Sequence, residues 1–216
     1  MQQTITKSFK DLFSGTVLAF MAKTTALSLI VTIVVIWFVN DLLVTFVKRY
    51  LSWIPWEWVQ TSGVAVASIA VSYMFFILIH AIVTSLLIEP LLIKVAQKSY
   101  PEYPVVGSPN IVTSLLLSLK SGLIFLFLFL FTLPVMFIPL VGAVWMLWLW
   151  SILLKAPTFY DVSTLFLSDS NVIKAKKRKG TLLAMIAAGF NYIPVLNIFA
   201  PVFAQILFMH HILGRE

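Results

Sequence analysis

The chain has 216 residues, is 61% hydrophobic and only 11% charged, and carries a formal net charge of +7. Ordinary soluble domains hold about 25% charged residues, so this composition excludes one and points to a single integral membrane domain over 1–216. In so apolar a chain the positive excess belongs to a membrane surface, so no nucleic-acid partner is expected, and the absence of cysteine excludes a disulfide framework and a thiolate metal site.

No small-residue cleavage site follows a short apolar core at the N-terminus, so no cleavable signal is expected. Residues 4–22 read as an amphipathic helix. Ile5, Phe9, Leu12, Phe13, Val17 and Phe20 recur at helical spacing, with Lys7, Lys10 and Asp11 off the stripe. Such a helix is expected to lie in the membrane interface, ending at Lys23-Thr24-Thr25.

Residues 25–46 form the first full span, with Asp41 near its far end and Lys48-Arg49 closing it. Trp53, Trp56 and Trp58 then suit an aromatic belt at headgroup level. Residues 64–88 form the second span, where Ala65, Ser68 and Ser72 let another helix approach. His80 within it reads either as a proton relay or as a helix-to-helix hydrogen bond. Glu89-Pro90 ends the span, and Ser108-Pro109 reads as a cap followed by the first helical residue.

Two charge-free stretches follow. Residues 122–154 carry Pro134 and Pro139 at their middle, with Trp145, Trp148 and Trp150 leading to Lys155. Residues 181–213 carry Pro194 and Pro201, with Asn191 and Asn197 beside the break. As one straight helix the latter would run about 50 Å, against a hydrocarbon core of about 30 Å. Proline lacks an N–H and clashes with the preceding turn. Each stretch therefore reads as a broken hairpin that half-penetrates the membrane, tolerated where it packs on protein or lines a cavity. They also look like a repeat: Phe137-Ile138-Pro139-Leu140-Val141-Gly142 matches Tyr192-Ile193-Pro194-Val195-Leu196-Asn197 at an offset of 55 residues. Paired Pro-interrupted segments point to a substrate site.

Between them, Ser168-Asp169-Ser170-Asn171 offers a helix cap, and Lys174 to Lys179 is a basic run that reads as a topology marker or as an anion-steering patch. If both hairpins return to their side of entry, one side holds 13 of the 15 Lys and Arg and the other only Lys48 and Arg49. The positive-inside rule then puts both termini in the cytoplasm.

The fold class that emerges is an all-α integral membrane protein: an N-terminal amphipathic helix, two full transmembrane helices and two Pro-broken half-penetrating hairpins. The second arms of the hairpins begin near Leu140 and Val195, and helix N-termini carry partial positive charge that attracts anions. No Asp, Glu, Lys or Arg lies in 122–154 or 181–213, which favours an anion or a neutral solute over a cation. The other reading of the prolines is that they only permit tight hairpins. No Ser-His-acid set, phosphate loop or zinc spacing occurs, so neither an enzyme nor a cofactor is expected. The adjacent His210 and His211 diverge by about 100° on a helix, are a poor chelating pair and read as interfacial.

The sequence Tyr192-Ile193-Pro194-Val195-Leu196-Asn197-Ile198-Phe199-Ala200-Pro201, supported by Phe137 to Gly142 and loosely by Ile88-Glu89-Pro90-Leu91, resembles the CysZ-type sulfate permeases within the broader etoposide-induced-protein family. That resemblance implies a bacterial inner-membrane protein with this helical plan, a homo-oligomer in the lipid bilayer, and sulfate uptake for sulfur assimilation. The family's sulfate site resembles a Gly-hydrophobic-Arg turn; here the corresponding residues are Phe20-Met21-Ala22-Lys23-Thr24-Thr25, with a Lys and two hydroxyls but no planar Arg fork. The expected oxyanion contacts are Lys23, Thr24, Thr25, Gly142 and Asn197. The alternative of a different class is a non-transporting scaffold whose Trp-rich and basic surfaces bind lipid or a protein partner.

Overall fold

In a computed structural model, which describes residues 1–52, 55–132, 134–135, 138–177 and 180–214, the chain is helical with no strand among those residues. The readings made above for Trp53, Phe137, Arg178 and Lys179 fall outside them. The contacts divide the chain into two compact units, Ala22–Ser85 and Met1–Met21 with Leu86–Glu216.

The Ala22–Ser85 unit consists of most of α2 (Gly15–Leu51) and nearly all of α3 (Glu57–Leu87). Both expected spans lie on these helices, α2 being 37 residues and α3 31. At 1.5 Å per residue each exceeds the roughly 30 Å of a hydrocarbon core. Their outward residues are apolar and open, among them Ile33, Trp37, Phe38, Leu42, Ile69 and Met74, as lipid contact requires. His80 is buried and lies 3.3 Å from the Ser28 hydroxyl through Nδ1. The Ser28 proton is directed to the Thr24 carbonyl at 2.6 Å, so the ring nitrogen is the donor to Ser28. The histidine therefore makes the helix-to-helix hydrogen bond, and its ring stacks on Phe76.

The other unit is built around α9 (Phe199–Leu213), whose residues from Val202 to Leu213 are all buried. A helix that is apolar on every side is stable only when something apolar surrounds it. Here the surroundings are protein: α1 (Gln2–Leu12), α4 (Glu89–Ser99), α6 (Val141–Phe166) and α8 (Gly180–Ala188) all pack on it. The apolar stripe read for α1 has a protein partner in α9. Its Leu12 is fully buried, and its Phe9 ring sits 4.7 Å from that of Phe203. Phe9 and Phe13 of the same stripe remain partly open. The helix also ends earlier than 22. The chain turns at Phe13-Ser14, where Ser14 Oγ accepts from the Val17 N–H, and residues 20–25 continue inside α2.

The polar groups of α9 fix its neighbours. His210 Nε2 lies 2.8 Å from Asp11 of α1, and its Nδ1 lies 3.0 Å from the Tyr100 hydroxyl. A neutral imidazole serves both, donating to the carboxylate and accepting from the phenol. Burial first, and then the charge of Asp11, push the Tyr100 hydroxyl above its ordinary pKa, which keeps it a donor. His211 Nε2 pairs with the Lys176 carbonyl, and Lys176 Nζ donates to the carbonyls of His211 and Gly214. Both histidines are buried and hydrogen-bonded. Lys176 belongs to the basic run but caps the end of α9, where the helix dipole favours a cation.

α5 (Ile111–Phe131) and α6 form an antiparallel hairpin. Trp145 Nε1 donates to Thr132 Oγ1 at one end, and Ser114 Oγ donates to Asp161 at the other. The hairpin is longer than 122–154: its arms are 21 and 26 residues, and α6 continues through Lys155 and Pro157. The cap of α5 is Asn110, whose side chain accepts from the Thr113 N–H at 3.1 Å, rather than Ser108, because the extended chain carries on past Pro109. Asp169 caps α7 (Ser170–Lys177), accepting from the Asn171 N–H at 2.8 Å.

Asp11→Ala leaves the buried His210 nitrogen without its partner. An unsatisfied buried group costs about 1–3 kcal/mol. The apparent melting temperature of the purified protein in detergent should fall by several degrees, whereas Lys10→Ala, on the exposed side of α1, should leave it unchanged.

Candidate functional site

The two proline motifs adopt one geometry. Among the described residues other than glycine, only Leu140 and Val195 have positive φ, at 64° and 72°, and they stand at equivalent positions of the repeat. Their ψ values, −48° and −44°, place both in the γ-turn region, which is strained for a side chain with a Cβ. In the first copy the Val141 N–H closes this turn on the Pro139 carbonyl at 2.7 Å. One residue on, the Gly142 N–H donates to Ile138 O at 2.8 Å, and the equivalent Asn197 N–H donates to Ile193 O at 3.2 Å. The likeness read from six residues is therefore a likeness of backbone.

Proline explains why the chain breaks there. At Pro139 and Pro194 the missing N–H and the ring clash forbid a continuing helix, and the next residue absorbs the reversal. Pro201 is different. It lies in the first turn of α9, where an N–H would have no partner in the helix, so it starts α9 instead of breaking it. Pro134 falls in a short turn that follows the end of α5.

The structure brings the two breaks together. α8 continues into a 3-10 turn, Gly189–Tyr192, and a second such turn, Leu196–Ile198, leads into α9. The Tyr192 hydroxyl donates to the Ala143 carbonyl in the first turn of α6, and its ring lies 5.0 Å from that of Trp150. Gly142 is buried, and Asn197 is half-buried. Their backbone N–H groups, the expected oxyanion donors, are already engaged by Ile138 and Ile193. What faces outward at these turns is apolar: Leu140 is 84% exposed and Val195 64%.

Lys23, Thr24 and Thr25 belong to the Ala22–Ser85 unit and lie within a continuous helix instead of a turn. Lys23 is exposed, Thr25 half-buried, and Thr24 is buried with its carbonyl accepting from Ser28. The same unit holds an open groove of about 610 Å³ whose polar lining includes Thr32, Asn40, Asp41 and Ser72.

Sequence reasoning missed three polar groups of the larger unit. Asp161, which no motif singled out, lies on the apolar helix α6 and is 6% exposed. It accepts from Ser114 of α5 and from Gln205 of α9. Gln205, 5% exposed, stands in the stretch read only for its lack of charge. Lys155 donates to Thr181 Oγ1 at 2.6 Å, joining α6 to the start of α8. A count of the helical period from Trp145 onward would have carried α6 through Lys155 and Asp161.

Among the described residues, five helices are long and apolar enough to cross a bilayer: Gly15–Phe46, Ser62–Leu87, Ile111–Phe129, Val141–Phe166 and Leu196–Leu213. The chain is thus an all-helical, multi-pass membrane protein. The family model described as sulfate transporter CysZ/etoposide-induced protein 2.4 matches residues 4–201, and the chain belongs to that family. Among curated proteins and among solved structures nothing matches it.

If the γ-like turns are strained, relieving them should stabilise the fold. Leu140→Gly and Val195→Gly remove exposed side chains from a conformation that costs about 1–3 kcal/mol. Each variant should melt at or above the wild-type temperature in detergent, with a gain in stability of up to about 1 kcal/mol after the entropy lost by glycine. A clear drop would show that these side chains are held by contacts that outweigh the strain.

Proposed function

We propose that this protein is an anion transporter or channel of a bacterial inner membrane, carrying sulfate for uptake, and that it is not an enzyme. The observation that carries the reading is the pair of matched proline turns, each opening a helix, joined by the Tyr192 to Ala143 hydrogen bond. Two helix N-termini side by side sum their partial positive charge. Because the Gly142 and Asn197 N–H groups are engaged internally, the attraction we assign to this place comes from the helix ends as a whole. A divalent anion is costly to desolvate, so several oriented dipoles must share its charge. Membership of the family supports sulfate as the ion, and it supports a homo-oligomer.

Lys23 serves this reading as an exposed charge on the approach, with Thr25 beside it in sequence. The orientation we propose has both termini cytoplasmic, with 122–154 and 181–213 returning to their side of entry. The charge distribution supports it, since Lys48 and Arg49 are the sole cations assigned to the far side. A hairpin returns to that side whether its tip stops midway or reaches the opposite surface, so the sidedness does not depend on depth.

Two experiments test the proposal. Cysteines placed at Thr4 and Ser168 should react with a membrane-impermeant thiol reagent only from the cytoplasmic side, and one at Leu140 or Leu196 should resist it from outside. Labelling of Ser168 from outside would reverse the hairpin reading, and free external labelling at Leu140 or Leu196 would indicate complete spans. Radiolabelled sulfate uptake by reconstituted protein is the functional measurement. Lys23→Ala should slow uptake more at low ionic strength than at high, because an exposed charge is screened within about 10 Å at 0.1 M salt. Asn197→Leu should slow it at every salt concentration. Wild-type uptake equal to that of empty liposomes would favour the scaffold reading.

A further inference from the structure

The Asp161 cluster is the buried acidic group that the transport reading leaves unused. Three helices converge there. Ser114 Oγ donates to Asp161 Oδ1 at 2.5 Å, and Gln205 Nε2 lies 3.4 Å from Oδ2, a long contact. Asp161 and Gln205 are almost wholly buried, whereas Ser114 is half-buried and opens the cluster on the α5 side. Gln205 Oε1 is buried and has no hydrogen-bond partner among the described residues. No cation pairs with Asp161 among them either. The site therefore holds one carboxyl group and an unsatisfied acceptor, and its donors are one hydroxyl and one distant amide.

A buried carboxylate without a counter-charge is costly, and so is a buried carbonyl without a donor. One ligand cures both: a cation bound between the carboxylate and the amide oxygen. We propose that Asp161, Gln205 and Ser114 form a binding site for a monovalent cation, Na⁺. The donors are hard oxygens, which suit an alkali or alkaline-earth ion and not a soft metal. The charge selects the valence, since a single positive charge neutralises one carboxylate while a divalent ion would leave a net charge buried. A proton on Oδ2 would neutralise the acid but would face the amide's own N–H and leave Oε1 unsatisfied. Turning the amide over would mend that contact and orphan Nε2 in its place. A cation satisfies the groups as they stand.

The test reads the site whether or not the protein carries sulfate. Purified protein in detergent is melted at fixed ionic strength in NaCl or choline chloride, at pH 6 and pH 8, with tryptophan fluorescence as the signal. Na⁺ at saturation should raise the apparent melting temperature by about 5–10 °C over choline at both pH values. Asp161→Asn keeps the shape and removes the charge, so it should abolish the Na⁺ shift. Gln205→Leu keeps the carboxylate and should weaken the apparent Na⁺ affinity about tenfold, which keeps the test open if Asp161→Asn does not fold. Absence of a Na⁺ shift in the wild type overturns the site, as does a shift that survives both substitutions. A wild-type stability that rises with acid, ignores Na⁺ and is lost in Asp161→Asn overturns it in favour of a bound proton.

Discussion

The larger unit depends on one constraint: α9 is buried on every side and yet carries Gln205, His210 and His211. An apolar environment gives such groups no water, so each must find a partner in the surrounding protein. The partners come from four places in the sequence. Asp11 arrives from α1, Tyr100 from just beyond α4, Asp161 from α6 and the Lys176 carbonyl from α7. Hydrophobic packing alone is non-directional and would let α9 rotate or slide. The polar contacts set its register, because a shift of one turn would strand all three side chains.

The same logic explains why the proline motifs are paired. Each motif ends one helix and starts another within a few residues, which leaves several backbone groups without helical partners. The Gly142 and Asn197 N–H groups close on the carbonyls of Ile138 and Ile193. The strain at Leu140 and Val195 accompanies that closure. Tyr192 then joins the two turns through Ala143. A duplicated strained turn is hard to explain as a mere consequence of tight packing, since both side chains are exposed while the dihedral angles nearly coincide.

Much of this was legible in the residues. Proline announces itself, because its missing N–H acts whatever the tertiary context, and Pro139 and Pro194 both lie in turns between helices. The spans in α2 and α3 were legible because their length and apolarity follow from the bilayer, and the helix-to-helix hydrogen bond of His80 was one of the two readings its place allowed, though Ser28 as partner was not. Less was legible where a side chain's role depends on what is brought against it. The stripe of α1 is equally suited to lipid and to protein, so its packing on α9 could not be read from the stripe. Asp161 looks like a loop residue when α6 is assumed to stop at Lys155, and Pro157 encouraged that assumption. Pro201 was misread because a proline two residues inside a helix start and one at a break share the same local sequence. At the candidate site, Gly142 and Asn197 were found by pattern, but whether their N–H groups were free was a matter of backbone closure that no pattern encodes.

The position of α9 in the chain has a consequence for how the protein is made. Translation delivers α1, α4, α6 and α8 before it delivers the helix on which they all pack. Until then Asp11 and Asp161 lack their histidine and glutamine partners, and the apolar faces meant for α9 stand uncovered. The nascent chain must therefore be held in a partly assembled form, with its early helices inserted or shielded, while α9 is synthesised. A ribosome that stalls before Phe199 would leave a product already rich in membrane helices but missing the core of its larger unit, which makes it a substrate for membrane quality control.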